Sequence, residues 1–192
     1  HARPGGAVPR VRARVSAEDV VITRNAVQSH TAGLAMSHPA GALLLRAELL
    51  YTRRAPLPVV DFEGDGRAGD APSGAMLIGA DALVGDGHFI SVQVGGNRFL
   101  PAPELPVDID SQTFLSALWR TEWAAGTLVS EVFAIVAGRH GDAYLRPRLM
   151  WRASDQWGLG AGLDLYTGEA NGVFGQFDAR DRVLLQLQWS PS

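Results

Sequence analysis

Charged side chains recur at every second position in several segments of this chain. In residues 143–153, Arg146, Arg148 and Arg152 alternate with mostly apolar residues. Because charged side chains that line a water-filled pore select among ions and polar solutes, this pattern predicts a polar lumen. The residues predicted to line it are Arg46, Glu48, Arg120, Glu122, Glu131, Arg146, Arg148, Arg152, Asp164 and Arg182.

The same charges have a second interpretation. Arginines and carboxylates on neighbouring strands can pair with one another and fill the interior of a narrow barrel. Barrels of about eight strands have an interior that side chains alone can fill. Alternation by itself does not distinguish an open lumen from an interior that is filled by side chains.

All five tryptophans fall on apolar positions of the alternating segments, close to the segment ends. Tryptophan is enriched where a membrane meets water. We therefore expect these residues to be membrane-interface anchors, and sugar-stacking platforms are the alternative. They are Trp119, Trp123, Trp151, Trp157 and Trp189.

Alternation with a period of two residues predicts β-strands, because successive side chains of a strand point to opposite faces. Most of these segments match the ~9–11 residues of a tilted transmembrane strand. We predict strands at residues 10–15, 28–37, 42–52, 75–84, 89–94, 112–123, 128–137, 143–153, 157–165 and 182–189. Long loops are predicted at residues 53–74, 95–111 and 167–178, and a tight turn at residues 38–41.

The predicted fold is all-β: an antiparallel transmembrane β-barrel forming one domain over residues 1–192, with about 8–10 strands in this chain. An apolar band recurs on almost every strand, and short turns alternate with longer loops, as such a barrel requires. The chain starts at His1 rather than methionine, and residues 10–15 begin as if inside a sheet. The chain is then either a compact barrel or the C-terminal part of a larger one, and the start of residues 10–15 favours the second.

Composition excludes several classes of protein. The 192 residues include no cysteine, and all 17 basic residues are arginines. No apolar run approaches the ~20 residues that a membrane-spanning helix needs. A net charge of −3 argues against general nucleic-acid binding.

One loop imitates the beginning of a calcium site. Asp61, Glu63 and Asp65 occupy positions 1, 3 and 5 of a calcium-loop pattern, and Gly66 occupies position 6. Pro72 stands where the bidentate glutamate is required. We predict a solvated acidic loop, and no metal or other cofactor.

Catalytic patterns are weak. Serine and histidine are adjacent at residues 29–30 and 37–38, but neighbours in a strand point to opposite faces. The chain contains no nucleophile elbow, phosphate-binding loop or dinucleotide fingerprint. We predict that the protein is not an enzyme, and an outer-membrane lipid-modifying enzyme is the disfavoured alternative.

Residues 168–183 carry a resemblance to a known family. They combine glycines with Phe174 and Phe177, end in Asp181-Arg182, and lead into an alternating final strand. This segment resembles the closing hairpin of porin-like outer-membrane barrels of Proteobacteria, a poorly characterised family of long single-chain barrels often found beside genes for export or breakdown of hydrophobic compounds. The strand around residues 46–48 is similar to the strands of this family.

The resemblance implies an outer-membrane barrel of a Gram-negative bacterium. Two features depart from the family pattern. Trp189 is followed by three further residues instead of ending the chain, and 192 residues is short for a member.

Together these observations predict a porin-like channel for passive passage of small or hydrophobic solutes, embedded in the outer-membrane lipid bilayer. Two alternatives remain. One is a non-conducting small barrel with a structural or adhesive role. The other is a soluble ligand-binding barrel whose leucines and tryptophans face inward, because alternation does not decide which face is inside.

Overall fold

The computed structural model describes residues 7–15, 20–56, 70–100, 111–138, 141–170 and 172–190. For residues 7–15, 20–27, 56, 70 and 111 the description is limited to the backbone.

Two antiparallel sheets account for the described strands. A two-stranded sheet pairs β1 with β2, and a nine-stranded sheet has the order β11-β10-β9-β8-β7-β6-β5-β4-β3. Within the described residues, β3 and β11 are the edge strands of the larger sheet, and each pairs with one neighbour. The strands are β1 (Ala7–Val15), β2 (Val20–Gln28), β3 (Thr31–Ala40), β4 (Leu43–Pro56), β5 (Asp70–Val84), β6 (His88–Phe99), β7 (Ser111–Trp123), β8 (Leu128–Ala137), β9 (Asp142–Arg152), β10 (Trp157–Thr167) and β11 (Arg182–Trp189).

The all-β, antiparallel part of the predicted fold is therefore confirmed. One short 3₁₀ helix, Gly175–Arg180, lies between β10 and β11. Within the described residues, no helix is long and apolar enough to cross a bilayer.

The chain divides into two compact units. One comprises His1–Ala35, Glu48–Met76 and Gly96–Ser111. In this unit the Thr31 and Thr52 hydroxyls of β3 and β4 are 3.3 Å apart. The other unit comprises Met36–Ala47, Leu77–Gly95 and Gln112–Ser192, and it contains nearly all of β7 and the whole of β8 to β11.

Burial in the sheet is inverted relative to a water-soluble protein. On β6, Val92 is 44% exposed, whereas its neighbour Ser91 on the opposite face is 5% exposed. The buried apolar residues among those described are only Ala55, Ala71 and Val129. Buried polar or charged residues are more numerous: Ser29, Ser91, Ser116, Thr121, Asp142 and Asp164.

The exposed side of the sheet is apolar and continuous across strands. Leu149 of β9 lies opposite Ala161 of β10, and Ala161 lies opposite Leu185 of β11. Directly opposed residues share a face, so the register gathers the apolar positions of successive strands onto one surface. Leu185 is 84% exposed on that surface.

Two predicted boundaries near the N-terminus were wrong. The strand predicted at 28–37 is β3, Thr31–Ala40, which continues through Pro39 instead of turning there. The turn lies at residues 41–42, where Gly41 has a φ of +65° that glycine adopts without strain. Strand β2 was not predicted, because apolar residues occupy both of its faces and give no alternation.

Strands β4, β5 and β6 extend further than alternation indicated. β4 runs to Pro56, β5 begins at Asp70, and β6 runs to Phe99, so the ends of the loops predicted at 53–74 and 95–111 belong to strands, and residues 57–69 and 101–110 lie outside the described residues. The Leu100 N–H donates to the carbonyl of Pro72 at 2.8 Å, which extends the β5–β6 pairing through residues that favour turns. The acidic loop at residues 61–66 lies outside the described residues.

Glycines on β10 make room for side chains of β9. A Cβ at Gly160 would lie 3.0 Å from Met150 Cε, and one at Gly162 would lie 3.0 Å from Arg148 Cγ. The Met150 and Arg148 side chains therefore lie across the glycine face of β10. This contact explains why β10 alternates glycine with leucine and alanine.

The contact between β9 side chains and the β10 glycines predicts that a valine in β10 is destabilising on the glycine face only. Gly162→Val should lower the free energy of unfolding by about 1–3 kcal/mol, because its Cβ would also approach the Pro147 carbonyl oxygen, at 3.1 Å. Valine is otherwise favoured over glycine in strands, so a loss of stability would come from the steric clash. Equilibrium urea unfolding measures it.

Ala161→Val is the matched control, because Ala161 is exposed on the opposite face. Equal unfolding midpoints for the two variants would contradict the packing of Arg148 across β10.

Candidate functional site

The candidate site is the polar face of β7 to β11, defined by residues that lie opposite one another. Arg120 of β7 opposes Glu131 of β8, and Glu131 opposes Arg148 of β9. Asp164 of β10 opposes Arg182 of β11. Opposed residues share a face, so the register collects these charges on the side of the sheet away from the apolar surface.

Three ion pairs connect these charges. Arg146 Nη2 lies 3.1 Å from Glu131 Oε1, Arg120 Nη2 lies 3.5 Å from Glu122 Oε1, and Arg148 Nη2 lies 3.7 Å from Asp164 Oδ1. Only the first falls within hydrogen-bond distance for a guanidinium and a carboxylate. The Arg146 guanidinium also lies over the Phe133 ring, 5.4 Å from its centroid.

Two of the predicted arginines carry charge without a close counterion. Arg152 opposes Gly158, and Arg182 opposes Asp164. In the part of the chain that the structure describes, neither guanidinium lies within 4.0 Å of a carboxylate. Arg152 lies beside the bend at residues 153–156, and Arg182 lies at the opposite end of the sheet, where β11 begins.

The remaining predicted residues lie on β4. Arg46 Nη2 donates to Asp81 Oδ1 of β5 at 2.8 Å, and the Asp81 side chain is largely buried. Alternation places Asp81 on the polar side of β5, but no sequence signal identifies Arg46 as its partner 35 residues away. Glu48 is exposed.

Two cavities follow the polar face. A cavity of about 230 Å³ is bordered by Arg120, Arg148 and Gln186, among others. A second, of about 700 Å³, opens at the turns at residues 124–127 and 153–156. Met150 and Arg152 border both cavities, so the two adjoin one another along the face.

The segment between β10 and β11 covers the other end of this face. The Phe174 ring stacks on Tyr144 with centroids 5.9 Å apart, and Phe177 packs against Tyr166 at 5.7 Å. Tyr144 and Tyr166 oppose each other on β9 and β10, and the Tyr144 hydroxyl donates to Asp164 Oδ1 at 2.8 Å.

A buried carboxylate anchors that segment. Asp142 is 2% exposed, and its Oδ1 accepts a hydrogen bond from the Gly175 N–H at 3.3 Å. A Cβ added at Gly168 or Gly172 would overlap the Asp142 carboxylate. Sequence reasoning missed Asp142, since only the fold of the glycine-rich segment shows why glycine is needed there.

The tryptophans predicted as interface anchors lie on the apolar surface. Trp157 and Trp189 oppose each other across β10 and β11, with ring centroids 6.3 Å apart. Trp151 opposes Leu159. All five are at least one-third exposed, and Trp123, Trp151, Trp157 and Trp189 lie at strand ends next to short turns or the end of β11.

A polar patch interrupts the apolar surface near Trp119 and Trp123. The His88 ring stacks on Trp119 at 6.2 Å and meets Trp123 edge-on at 5.9 Å. The Trp123 indole N–H donates to the Ser130 hydroxyl at 3.2 Å. Thr121, between the two tryptophans on the same face, is buried.

No cluster of three or more metal-binding side chains occurs among the residues that the structure describes.

No protein-family model matches this chain, and neither the curated proteins nor the solved structures contain a significant match. The resemblance to porin-like barrels therefore rests on the residues quoted above.

The Asp142 contacts predict that this carboxylate holds the covering segment in place. Asp142→Ala should accelerate tryptic cleavage after Arg180 about tenfold, because a hydrogen bond to a charged group contributes ~1.5–3 kcal/mol. Mass spectrometry of timed digests of the folded protein would give the rate of cleavage at this bond.

Asp155→Ala serves as the control, since Asp155 is exposed in the bend before β10. If both variants are cleaved after Arg180 at the wild-type rate, Asp142 does not restrain the segment.

Proposed function

We propose that this protein is a porin-like channel of a Gram-negative outer membrane, passing small solutes by diffusion along the polar face. In this proposal the nine-stranded sheet belongs to a closed barrel, with the apolar surface in lipid and the charged residues around the lumen. The function needs no cofactor.

The inverted burial of the sheet is the observation that carries the proposal. Leucine, valine and tryptophan side chains are exposed, whereas serines and carboxylates on the opposite face are covered. Water-soluble monomers rarely expose contiguous apolar patches beyond a few hundred Å². A lipid environment removes the cost of this surface, because acyl chains solvate apolar side chains.

The apolar surface has further features that suit a bilayer. Strands β8, β9 and β10 are 10 to 11 residues long, close to the ~9–11 that a tilted strand needs to cross. A groove of about 520 Å³ between β9 and β11 is bordered by Leu149, Trp151 and Leu187, which suits an acyl chain. The exposed tryptophans at the strand ends suit the interface with water.

The polar face has features of a lumen wall. Its ion pairs provide internal counterions for part of the charge, and its two adjoining cavities leave space for water and solute. A membrane-inserted sheet cannot leave backbone N–H and C=O groups unpaired in lipid. The edges of β3 and β11 must therefore pair, either with each other or with strands of a larger protein.

One observation favours a second candidate, a non-conducting barrel with a structural role. The segment carrying Phe174 and Phe177 covers the polar face beside Tyr144 and Tyr166. If this cover closes the lumen, the barrel folds in the membrane and passes no current. The exposed leucines argue against the third alternative, a soluble barrel with an apolar interior.

Bilayer recording of protein refolded in detergent tests the proposal. We expect a band whose gel migration changes on heating and discrete conductance steps in a planar bilayer. Gln186→Trp should reduce the size of each step, because it narrows the polar side of β11. Leu187→Trp changes the next residue of β11, which lies on the apolar face, and should leave the size of the conductance steps unchanged.

Equal effects of the two substitutions would contradict the assignment of the lumen. A folded, inserted and silent protein would favour the non-conducting barrel. Folding only in the absence of detergent would contradict both membrane proposals.

A further inference from the structure

Arginines converge on the smaller polar-face cavity, and we infer that this cavity binds small organic anions, with a carboxylate head group and an apolar body. The inference rests on the proposed function, because it names the class of solute that the lumen would select. The cavity is bordered by Arg120, Arg148 and Arg152.

The charge balance of the cavity is positive. Glu131 is its one acidic lining residue among those described, and Arg146, which does not line the cavity, pairs with it at 3.1 Å. Arg120 and Arg148 have Glu122 and Asp164 as loose counterions, whereas Arg152 has no carboxylate within 4.0 Å among the described residues, so the positive charge of Arg152 is left over. An anion in the cavity would be attracted by this surplus positive charge.

The guanidinium groups have hydrogen-bond donors to spare. Arg120 and Arg148 lie 3.5 Å and 3.7 Å from their acidic partners, longer than the ~2.7–2.9 Å of a charge-assisted hydrogen bond. Arg148 Nε is buried without a hydrogen-bond partner. Arg152 has no carboxylate within 4.0 Å among the described residues.

The planar fork of a guanidinium matches the two oxygens of a carboxylate. Arg120 and Arg148 lie on strands separated by β8, which sets their backbones about 10 Å apart. Glu131 lies between them on β8 and pairs with Arg146, so the donors of Arg120 and Arg148 remain for an anion on the polar face.

The remaining walls set the size and body of the ligand. Gly160 and Gly162 form part of the floor, and Val129, Met150 and Leu184 contribute apolar surface. A volume of about 230 Å³ lies below the ~300–1,000 Å³ of pockets for drug-sized ligands. A compact carboxylate such as benzoate combines the required head group, apolar body and size.

Equilibrium dialysis of radiolabelled benzoate against detergent-refolded protein at low ionic strength tests the inference. We expect saturable binding that weakens with added salt and is not displaced by benzamide, the neutral analogue. Arg148→Gln and Arg152→Gln should each raise the Kd about tenfold, since each removes charge-assisted hydrogen bonds.

Arg53→Gln is the charge-matched control, because Arg53 is an exposed residue of β4 that does not border the cavity. Arg152→Lys keeps the charge and should bind more tightly than Arg152→Gln, which separates loss of charge from loss of folding. Heat-dependent gel migration checks the fold of each variant.

Three results would overturn the anion site: equal affinity in Arg53→Gln and the cavity variants, displacement by benzamide, or no binding by protein that conducts. The last would leave the channel proposal intact. Conversely, specific benzoate binding by a folded protein that never conducts would support the anion site and overturn the channel.

Discussion

Strand register is the constraint on which the rest of the structure depends. A slip of one residue would turn the apolar positions of the slipped strand to the charged face and its charged positions to the apolar face. The observed pairing of β7 to β11 keeps Arg120, Glu131 and Arg148 in one row across three strands. The apolar surface, the ion pairs and both cavities all follow from that alignment.

Ion pairs and the glycines of β10 allow long charged side chains to lie on the polar face. An unpaired guanidinium is costly to bury, and the half-buried Arg46 and Arg146 pair with Asp81 and Glu131. The glycines of β10 let the long side chains of Arg148 and Met150 lie flat across the neighbouring strand. Where pairing is loose, around Arg120, Arg148 and Arg152, the face is open and positively charged.

The sequence predicted the faces better than the contacts. Alternation is a local property, so it placed Arg146, Arg148 and the tryptophans on their observed faces. It failed where strands lack alternation, as in β2, or contain residues typical of turns, as at the start of β5. The Asp142 anchor and the partner of Arg46 depend on long-range pairing, which no local pattern encodes. Alternation also did not determine which face is exposed. Only the packing of the sheet shows that the apolar face is the exposed one.

Paired cysteine labels test most directly whether the apolar face meets lipid and the charged face meets water, as the proposed function requires. The chain has no cysteine, so Val92→Cys and Gln93→Cys each carry one environment-sensitive dye on opposite faces of β6. In reconstituted vesicles, brominated acyl chains should quench the label at residue 92, and aqueous iodide should quench the label at residue 93. The reverse pattern, or iodide quenching of both labels, would contradict the account.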